Sequence, residues 1–264
     1  MIKLIATDID GTLLEEGTLN LNPEYYDVIR ELRKRGVLVA AASGRQRSSI
    51  EKVFRPVIDD IIAISENGTC IYSKQYQHVD KMQPEIVRAF IEEARQYPGC
   101  EIVVNQDNMS YFENDGIKMQ LVDHYGYRGE MVDDVCAYAD GACKVSVYHH
   151  RCAEEILGQD FLERWNRVIH AVVSGEKWID CSNKGVTKGS ALKHFQDAYG
   201  ITPDETLAFG DNLNDIEMLN CASHSFAVAN AREEVKQAAN FLTASNKEDG
   251  VLQVLKAVLR GELC

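Results

Sequence analysis

Two aspartates, Asp8 and Asp10, come directly after a short apolar run near the start of the chain, and Gly11 follows them. The apolar run, residues 2–7, predicts a buried strand, and side chains two positions apart on a strand point the same way. Two carboxylates at one strand end repel each other, so a positive charge is expected between them. The pair therefore predicts a cation site at the end of a buried strand.

Strand and helix patterns alternate at both ends of the chain. Near the start, a strand over 37–42 follows a helix that Asn22 and Pro23 open and Gly36 ends, and 61–72 has the pattern of two strands joined by an Asn-Gly turn. The alternation resumes after residue 186, with predicted helices over 188–199, 214–220, 232–239 and 249–259 and predicted strands over 206–210, 225–229 and 241–243. This pattern is typical of a parallel α/β sheet, here with a hairpin attached.

The middle of the chain has a different pattern, in which one helix is followed by two strands and the unit occurs twice. A further helical stretch over 115–125 and a strand over 143–149 lie between the two units. The predicted units are helix 84–97 with strands 101–105 and 109–113, and helix 152–165 with strands 168–173 and 176–180. We expect an α+β domain with an antiparallel sheet, residues 82–181, inserted into a Rossmann-like parallel-sheet core of residues 1–81 and 182–264.

Composition and charge narrow the classes of partner. The 264 residues carry 28 Lys and Arg against 41 Asp and Glu, a net charge of −13, so nucleic acid and anionic membranes are not expected partners. No apolar run approaches the length of a membrane span, and the start, MIKLIATDID, reaches an acid too soon for a secretory signal. Eight cysteines include no CxxC pair, and we interpret them as reduced. A cytoplasmic protein is expected.

Polar side chains follow the predicted strands of the parallel sheet at equivalent places. Ligands bind at the carboxyl edge of such sheets, and Asp8, Asp10 and Asp211 together have the oxygen ligands that suit Mg²⁺. The candidates are Asp8 and Asp10 after strand 2–7, Ser43 after strand 37–42, Lys188 at the start of helix 188–199, and Asp211, Asn214 and Asp215 after strand 206–210.

Each of these signals has an ordinary explanation when it stands alone. Asp-x-Asp-Gly is also a common turn, Ser43 is a typical helix N-cap, and Lys188 is a typical surface lysine. A calcium-binding loop is excluded, because Leu19 occupies the twelfth position, where a glutamate is needed. Their joint occurrence at one sheet edge favours a functional site.

Four segments in chain order, DIDGTLL, ASGR, GVTKGSAL and GDNLNDIEML, resemble the four motifs of the haloacid dehalogenase-like hydrolases. The segment SENGT and the inserted domain resemble the Cof-type phosphatase subfamily, which has a type IIB α/β cap. The resemblance extends over essentially the whole chain. Because the dehalogenases of this superfamily lack the second aspartate, Asp10 indicates phosphoryl chemistry.

The resemblance implies a role for each candidate residue. Asp8 would attack phosphorus and form an aspartyl-phosphate, while Asp10 would protonate the leaving oxygen and then activate water. Mg²⁺ would be held by the Asp8 and Asp211 carboxylates and the Asp10 backbone carbonyl, and Asp215 would orient the metal's waters or Lys188. The phosphate oxygens would be bound by the backbone N–H groups of Ile9 and Gly44, the Ser43 hydroxyl, Asn214 and Lys188.

Two side chains near the motifs have open assignments. Thr12 is expected either to hydrogen-bond Asp10 or to be a polar turn residue. Arg45 is expected to face solvent, with phosphate contact as the alternative. In the middle domain, Trp165 is expected in the hydrophobic core.

The function expected from these residues is a Mg²⁺-dependent phosphatase that acts on a small phosphorylated metabolite, most of all a sugar phosphate. One alternative is a phosphomutase or other phosphotransferase, which a bisphosphate activator would reveal. The other is a non-catalytic phosphate-binding regulator, which would be expected to lack Asp8 or Asp10. A monomer or a small homo-oligomer is expected, and the substrate stays open because the inserted domain has no recognisable signature.

Overall fold

The computed structural model describes residues 1–175 and 177–263. Its strands are β1 (Leu4–Thr7), β2 (Leu38–Ala42), β3 (Ile62–Ser65), β4 (Cys70–Tyr72), β5 (Gln77–Val79), β6 (Cys100–Gln106), β7 (Met109–Phe112), β8 (Gly129–Met131), β9 (Lys144–His149), β10 (His170–Gly175), β11 (Trp178–Ser182), β12 (Thr206–Gly210), β13 (His224–Val228) and β14 (Phe241–Thr243). Its α-helices are α1 (Glu24–Lys34), α2 (Arg47–Val53), α3 (Pro84–Ala94), α4 (Asp115–Lys118), α5 (Ala153–Leu157), α6 (Gln159–Trp165), α7 (Lys188–Tyr199), α8 (Ile216–Asn220), α9 (Glu233–Ala238) and α10 (Gly250–Arg260).

The larger sheet has eight strands in the order β14-β13-β12-β1-β2-β3-β4-β5. The six strands from β14 to β3 are parallel, and β4 and β5 continue the sheet in antiparallel pairing, which confirms the predicted parallel sheet with its attached hairpin. All four residues of β1 are buried, as expected for a central strand with both faces covered.

The smaller sheet has six strands in the order β10-β11-β9-β6-β7-β8. Its pairs are antiparallel, as predicted, except that β8 runs parallel to β7. Strand β8 consists of three residues, Gly-Glu-Met, and so short a segment has no alternation from which a strand could be predicted. The single helix predicted over 152–165 is wrong: α5 and α6 are separated by Gly158, whose φ of +77° interrupts the helix.

Separate hydrophobic clusters accompany the two sheets. The largest contains buried residues between 2 and 71 and between 191 and 255. Two smaller clusters contain buried residues between 82 and 181. Trp165 lies in one of these, 5.0 Å from the ring of Phe90, which confirms its predicted core position. Within the described residues, no helix is both long and apolar enough to cross a membrane.

The arrangement of strands brings three polar loops to one place. Because β1 lies between β12 and β2 in parallel register, with Leu4 opposite both Thr206 and Leu38, the three strands end at the same sheet edge. Asp8, Ser43 and Asp211 are each the first residue after one of these strands. The topology alone therefore makes them neighbours.

Candidate active site

Lys188 forms the centre of the site at this sheet edge. It is the first residue of α7, where the Thr187 side chain caps the helix by accepting the Ser190 N–H, and it is 1% exposed. Its Nζ donates to Asp8 Oδ1 at 2.6 Å and to Asp215 Oδ1 at 2.7 Å. Lys188 thus places a positive charge between Asp8 and Asp215, and the divalent cation predicted at Asp8 and Asp10 stays a prediction. The contact between Asp215 and Lys188 agrees with one of the two alternatives expected for Asp215.

Burial and neighbouring charges leave the pKa values of both Lys188 and Asp8 above their ordinary values. For Lys188, burial disfavours the ammonium, but the carboxylates of Asp215 and Asp8 outweigh it and raise the pKa. For Asp8, burial and then the charge of Asp215 raise the pKa well above its ordinary value, although Lys188 acts against them. The carboxylates around Lys188 therefore carry more negative charge than Lys188 alone can balance.

Replacement of Lys188 by methionine is expected to destabilise the protein strongly. The change leaves the buried Asp8 and Asp215 carboxylates without their shared cation, which costs about 3–5 kcal/mol of unfolding free energy. Urea unfolding at neutral pH with chelator present measures this loss. Lys193→Met is the matched control on α7: its ion pair with Asp197 is exposed, so the change should cost less than about 1 kcal/mol. Equal losses in the two variants would contradict the assigned role.

Three acids form a cluster beside Lys188. Oxygen atoms of Asp8, Asp211 and Asp215 lie within 4.8 Å of one another. Asp8 Oδ2 is buried and has no hydrogen-bond partner among the described residues, so an acceptor lone pair is left for a cation. Three carboxylates against one ammonium leave two excess negative charges, which one divalent cation would neutralise. The residues present fit a hard divalent cation such as Mg²⁺.

Local structure holds the acid cluster in shape. Asp215 Oδ2 accepts the backbone N–H groups of Asp211 and Asn212 at 3.0 and 3.1 Å, which orients the loop after β12. Gly11 has a φ of +81°, and a Cβ there would lie 2.2 Å from Asp211 Oδ2. Thr12 is fully buried and donates to Asp211 Oδ1 at 2.9 Å. The expected hydrogen bond to Asp10 is therefore wrong, whereas Thr12 does lie in a turn, as the alternative expectation had it, and its hydroxyl binds Asp211.

The Asp10 carboxylate lies apart from the acid cluster and is held by Arg45. Arg45 Nε donates to Asp10 Oδ2 at 2.6 Å and Nη2 donates to Oδ1 at 2.5 Å, and the Gly17 N–H also reaches Oδ1, at 3.1 Å. The Arg45 side chain is 2% exposed, so the expectation that it faces solvent is wrong. The pair is bidentate, a geometry that fixes the direction of the carboxylate.

Most of the remaining predicted phosphate ligands lie around the same cavity. Ser43 is buried, and its Oγ accepts the Arg45 N–H at 3.1 Å. Asn214 Nδ2 donates to Asn67 Oδ1 at 3.0 Å. The Ile9 side chain is buried and outside the cavity lining, but the predicted phosphate ligand is the Ile9 backbone N–H, and that assignment stays a prediction. The cavity lining includes Asp8, Asp10, Ser43, Gly44, Arg45, Lys188, Asp211 and Asn214.

This cavity, of about 460 Å³, also has a wall from the smaller sheet that the sequence interpretation missed. In β9, Lys144 and Ser146 face the cavity while Val145 and Val147 enter a hydrophobic cluster. Alternation of this kind is the signal that could have revealed the polar face. The wall residues on the smaller sheet are Val103, Asn105, Lys144, Ser146, Ser174, Trp178 and Asp180.

Known proteins are similar to this chain in sequence and in fold. The family profile of the haloacid dehalogenase-like hydrolases matches residues 5–255. The phosphatase YbjI of Escherichia coli K12, which acts on 5-amino-6-(5-phospho-D-ribitylamino)uracil, is 29% identical over 99% of this chain and 97% of its own. The pyridoxal phosphate phosphatase YbhA of Escherichia coli K12 is 26% identical over 96% of this chain and 97% of its own. A crystal structure from Eubacterium rectale, 38% identical, superposes with a TM-score of 0.88 over 97% of this chain and 99% of that one.

Proposed function

The chain belongs to the haloacid dehalogenase-like hydrolase family and is a phosphatase, and from this premise we propose that it is a Mg²⁺-dependent enzyme that hydrolyses a sugar-phosphate monoester through an aspartyl-phosphate. The observation that carries the proposal is the buried Asp8 at the cavity floor, with one oxygen bound by Lys188 and the other without a hydrogen-bond donor among the described residues. A carboxylate in that position can attack a phosphorus atom that the surrounding donors hold in place.

Asp8 is the proposed nucleophile, and the groups around it bind the phosphoryl oxygens. Lys188 neutralises charge on the transferring group, and the Ser43 hydroxyl, the Ile9 and Gly44 N–H groups and the Asn214 amide donate hydrogen bonds to it. Phosphoryl transfer depends on such donors being placed in advance, because charge is spread over three equatorial oxygens.

Asp10 is the proposed general acid and base. It lines the cavity two residues after Asp8, and Arg45 and Gly17 orient its carboxyl group. As an acid it protonates the departing alcohol oxygen, and as a base it takes a proton from the water that hydrolyses the aspartyl-phosphate.

We propose that Asp8 and Asp211 and the backbone carbonyl of Asp10 hold Mg²⁺, with Asp215 orienting the site through Lys188 and the Asp211 loop. The bound cation would polarise the phosphoryl oxygens and neutralise their charge. The orphaned Asp8 oxygen and the two excess negative charges of the acid cluster support this assignment.

Residues 82–181 are proposed as a cap over a catalytic core of residues 1–81 and 182–264. The polar wall that the cap adds to the cavity, with Asn105, Ser146 and Asp180, is suited to hydroxyl groups. The named substrate of YbjI has a phosphorylated ribityl chain, which carries several hydroxyl groups that such a wall could bind. A sugar phosphate or sugar-alcohol phosphate is therefore the proposed substrate class.

The proposal is tested by phosphate release from a panel of sugar phosphates, sugar-alcohol phosphates and pyridoxal phosphate, each with Mg²⁺ and with EDTA. We expect turnover that depends on Mg²⁺ and is highest for a hydroxyl-rich substrate. Full activity in EDTA would contradict the metal assignment, and a preference for pyridoxal phosphate would contradict the substrate class.

Mg²⁺ is expected to stabilise the protein more at neutral than at acidic pH. Burial, then the charge of Asp215, raises the pKa of Asp211 to about 6 from 3.8. Because the folded state holds this proton more tightly than the unfolded state, the metal-free protein loses stability as pH rises from about 4 to about 6. The cation can offset the loss only where Asp211 is ionised. Melting temperatures with and without Mg²⁺ should therefore differ at pH 7.5 and hardly at pH 5.

Asp211→Asn is the control for this effect, because it removes the titrating group and a proposed ligand together. The variant should show a small Mg²⁺ shift at both pH values. The same Mg²⁺ shift at pH 5 and pH 7.5 in the unaltered protein would overturn the prediction.

A further inference from the structure

The segment Ser65–Thr69, here called the junction loop, supports the loop that follows β2. The N–H of Asn67 donates to the Ser43 carbonyl at 3.0 Å, and the N–H of Glu66 donates to the Arg45 carbonyl at 3.0 Å. Glu66 and Asn67 have φ values of +51° and +57°, in the left-handed region that residues other than glycine seldom adopt. Such strain persists only where surrounding contacts over-determine it, and it is common at functional sites.

The Asn67 side chain connects the cap to the proposed phosphate site. Its Nδ2 donates to Asp180 Oδ2, in cap strand β11, at 3.1 Å. Its Oδ1 accepts from Asn214 Nδ2, in the loop after β12, at 3.0 Å. Asn67 is 9% exposed, so water does not readily replace either partner. One buried amide thus joins two parts of the molecule that belong to different sheets.

Asp180 determines the direction of both hydrogen bonds. Its carboxylate also accepts from Ser146 Oγ at 2.7 Å and from Lys144 Nζ at 3.2 Å, so it is the hydrogen-bond acceptor toward each of these partners. Asn67 must therefore turn its NH₂ group toward Asp180 and its oxygen toward Asn214. Asn214 must in turn present its NH₂ group, because an amide oxygen facing the Asn67 oxygen would be repelled.

The cap is held in this position by a second buried contact. Lys144 Nζ lies 2.5 Å from Glu66 Oε2 and donates to the Gly44 carbonyl at 3.1 Å. Both Glu66 and Lys144 are buried, so the pair forms only when the cap rests on the junction loop. Separation of the cap from the core would remove Asp180 from Asn67 and leave both amides free to rotate.

We propose that Asn67 is a positioning residue that transmits the acceptor character of the cap's Asp180 to Asn214, so that Asn214 presents N–H donors to the substrate phosphate only while the cap is docked. One hydrogen of the Asn214 NH₂ group binds Asn67, and the second is available to a phosphoryl oxygen in the cavity. A rotated Asn214 would place its oxygen against the phosphate instead. The inference rests on the proposed function, because it takes Asn214 as a phosphate ligand.

A charge-relocating double mutant tests the proposal. Asn67→Asp places two carboxylates against each other and should lower kcat/KM on the order of 100-fold. Asp180→Asn alone no longer fixes the orientation of the Asn67 amide, and it should lower kcat/KM about three- to tenfold. In the double variant the carboxylate introduced at position 67 accepts from both the amide introduced at position 180 and the Asn214 amide. The net charge of the pair at positions 67 and 180 is then the same as in the unaltered protein, and the NH₂ group of Asn214 again faces position 67. Its kcat/KM should return to within about threefold of the Asp180→Asn value.

Inhibition by inorganic phosphate separates positioning from a general structural role. The inhibition constant should rise in Asn67→Asp, because repulsion from Asp180 moves the carboxylate at position 67 away from Asn214. It should fall again in the double variant, where the amide at position 180 removes that repulsion and Asn214 regains its acceptor. Asp133→Asn, an exposed change in the cap, is the matched control and should alter neither quantity. A double variant as impaired as Asn67→Asp, or an Asn67→Asp enzyme within about threefold of the unaltered one, would overturn the proposal.

Asn67→Gly is an alternative variant that tests the same proposal if Asn67→Asp folds poorly. Glycine adopts the backbone conformation at position 67 without strain and removes only the amide. We expect about a tenfold loss in kcat/KM with an undiminished melting temperature, and no further loss when Asp180→Asn is added. Additive losses would contradict the relay. An unaltered enzyme that turns over equally well in EDTA would instead contradict the proposed function, and the comparison of variants would still be valid.

Discussion

Asp8→Asn is expected to lower turnover at least about a thousandfold without lowering the melting temperature. The change takes away the proposed attacking oxygen and a proposed metal ligand together. It leaves the size of the side chain unaltered in a site that is 4% exposed. Because burial and Asp215 already raise the pKa of Asp8, the ionised carboxylate costs the metal-free protein stability at neutral pH. A neutral amide removes that cost, so the melting temperature in chelator should be equal or higher.

The control for this variant is Asp59→Asn, an exposed change in the same part of the chain. It should leave turnover and melting temperature unaltered. Retention of more than about a tenth of the activity by Asp8→Asn would exclude the nucleophile assignment, since a tenfold loss corresponds to only about 1.4 kcal/mol of barrier.

Asp10→Asn is expected to give the second largest loss, and the loss should depend on the leaving group. A sugar alkoxide needs protonation as it departs, whereas p-nitrophenolate needs little. When transfer to Asp8 limits the rate, the variant should therefore lose more activity on a sugar phosphate than on p-nitrophenyl phosphate. Steady-state kinetics with both substrates measure the difference. Equal losses on the two esters would favour a purely positioning role for Asp10.

Stability measurements are needed beside these kinetics because Asp10 also pairs with Arg45. The buried Arg45 guanidinium donates two hydrogen bonds to the Asp10 carboxylate, and an asparagine at position 10 can accept only one of them. We expect a lower melting temperature for Asp10→Asn but not for Asp8→Asn. Assays well below the transition keep the fraction folded constant and leave the leaving-group comparison valid.

The core of the site could be predicted from the sequence because strand ends determine it. Apolar runs that end at Asp8, Ser43 and Asp211 predict three parallel strands, and adjacent parallel strands bring their ends together whatever the rest of the chain does. The Asp215–Lys188 contact was one of two alternatives that the family resemblance implied for Asp215. These features depend on local sequence and on one rule of topology.

Other features depend on long-range packing and were not predictable. Arg45 was expected at the surface, yet the loop after Gly11 covers it and Asp10 binds it. Thr12 reaches Asp211, which is 199 positions away in the chain. The Asn67–Asp180 contact requires knowledge of how the cap rests on the core, and no local pattern contains that information. Glycine at position 158 interrupts a helix although the apolar pattern continues through it.

The central claim is that the reaction passes through a phosphate ester of Asp8, and rapid quench of the Asp10→Asn variant tests it most directly. With a ³²P-labelled aryl phosphate, this variant should accumulate acid-stable protein-bound label, because transfer to Asp8 continues while hydrolysis lacks its base. Peptide mapping should locate the label at Asp8, and the Asp8→Asn/Asp10→Asn double variant should bind none. Absence of bound label in Asp10→Asn during turnover of the ester, or label that persists without Asp8, would contradict the account.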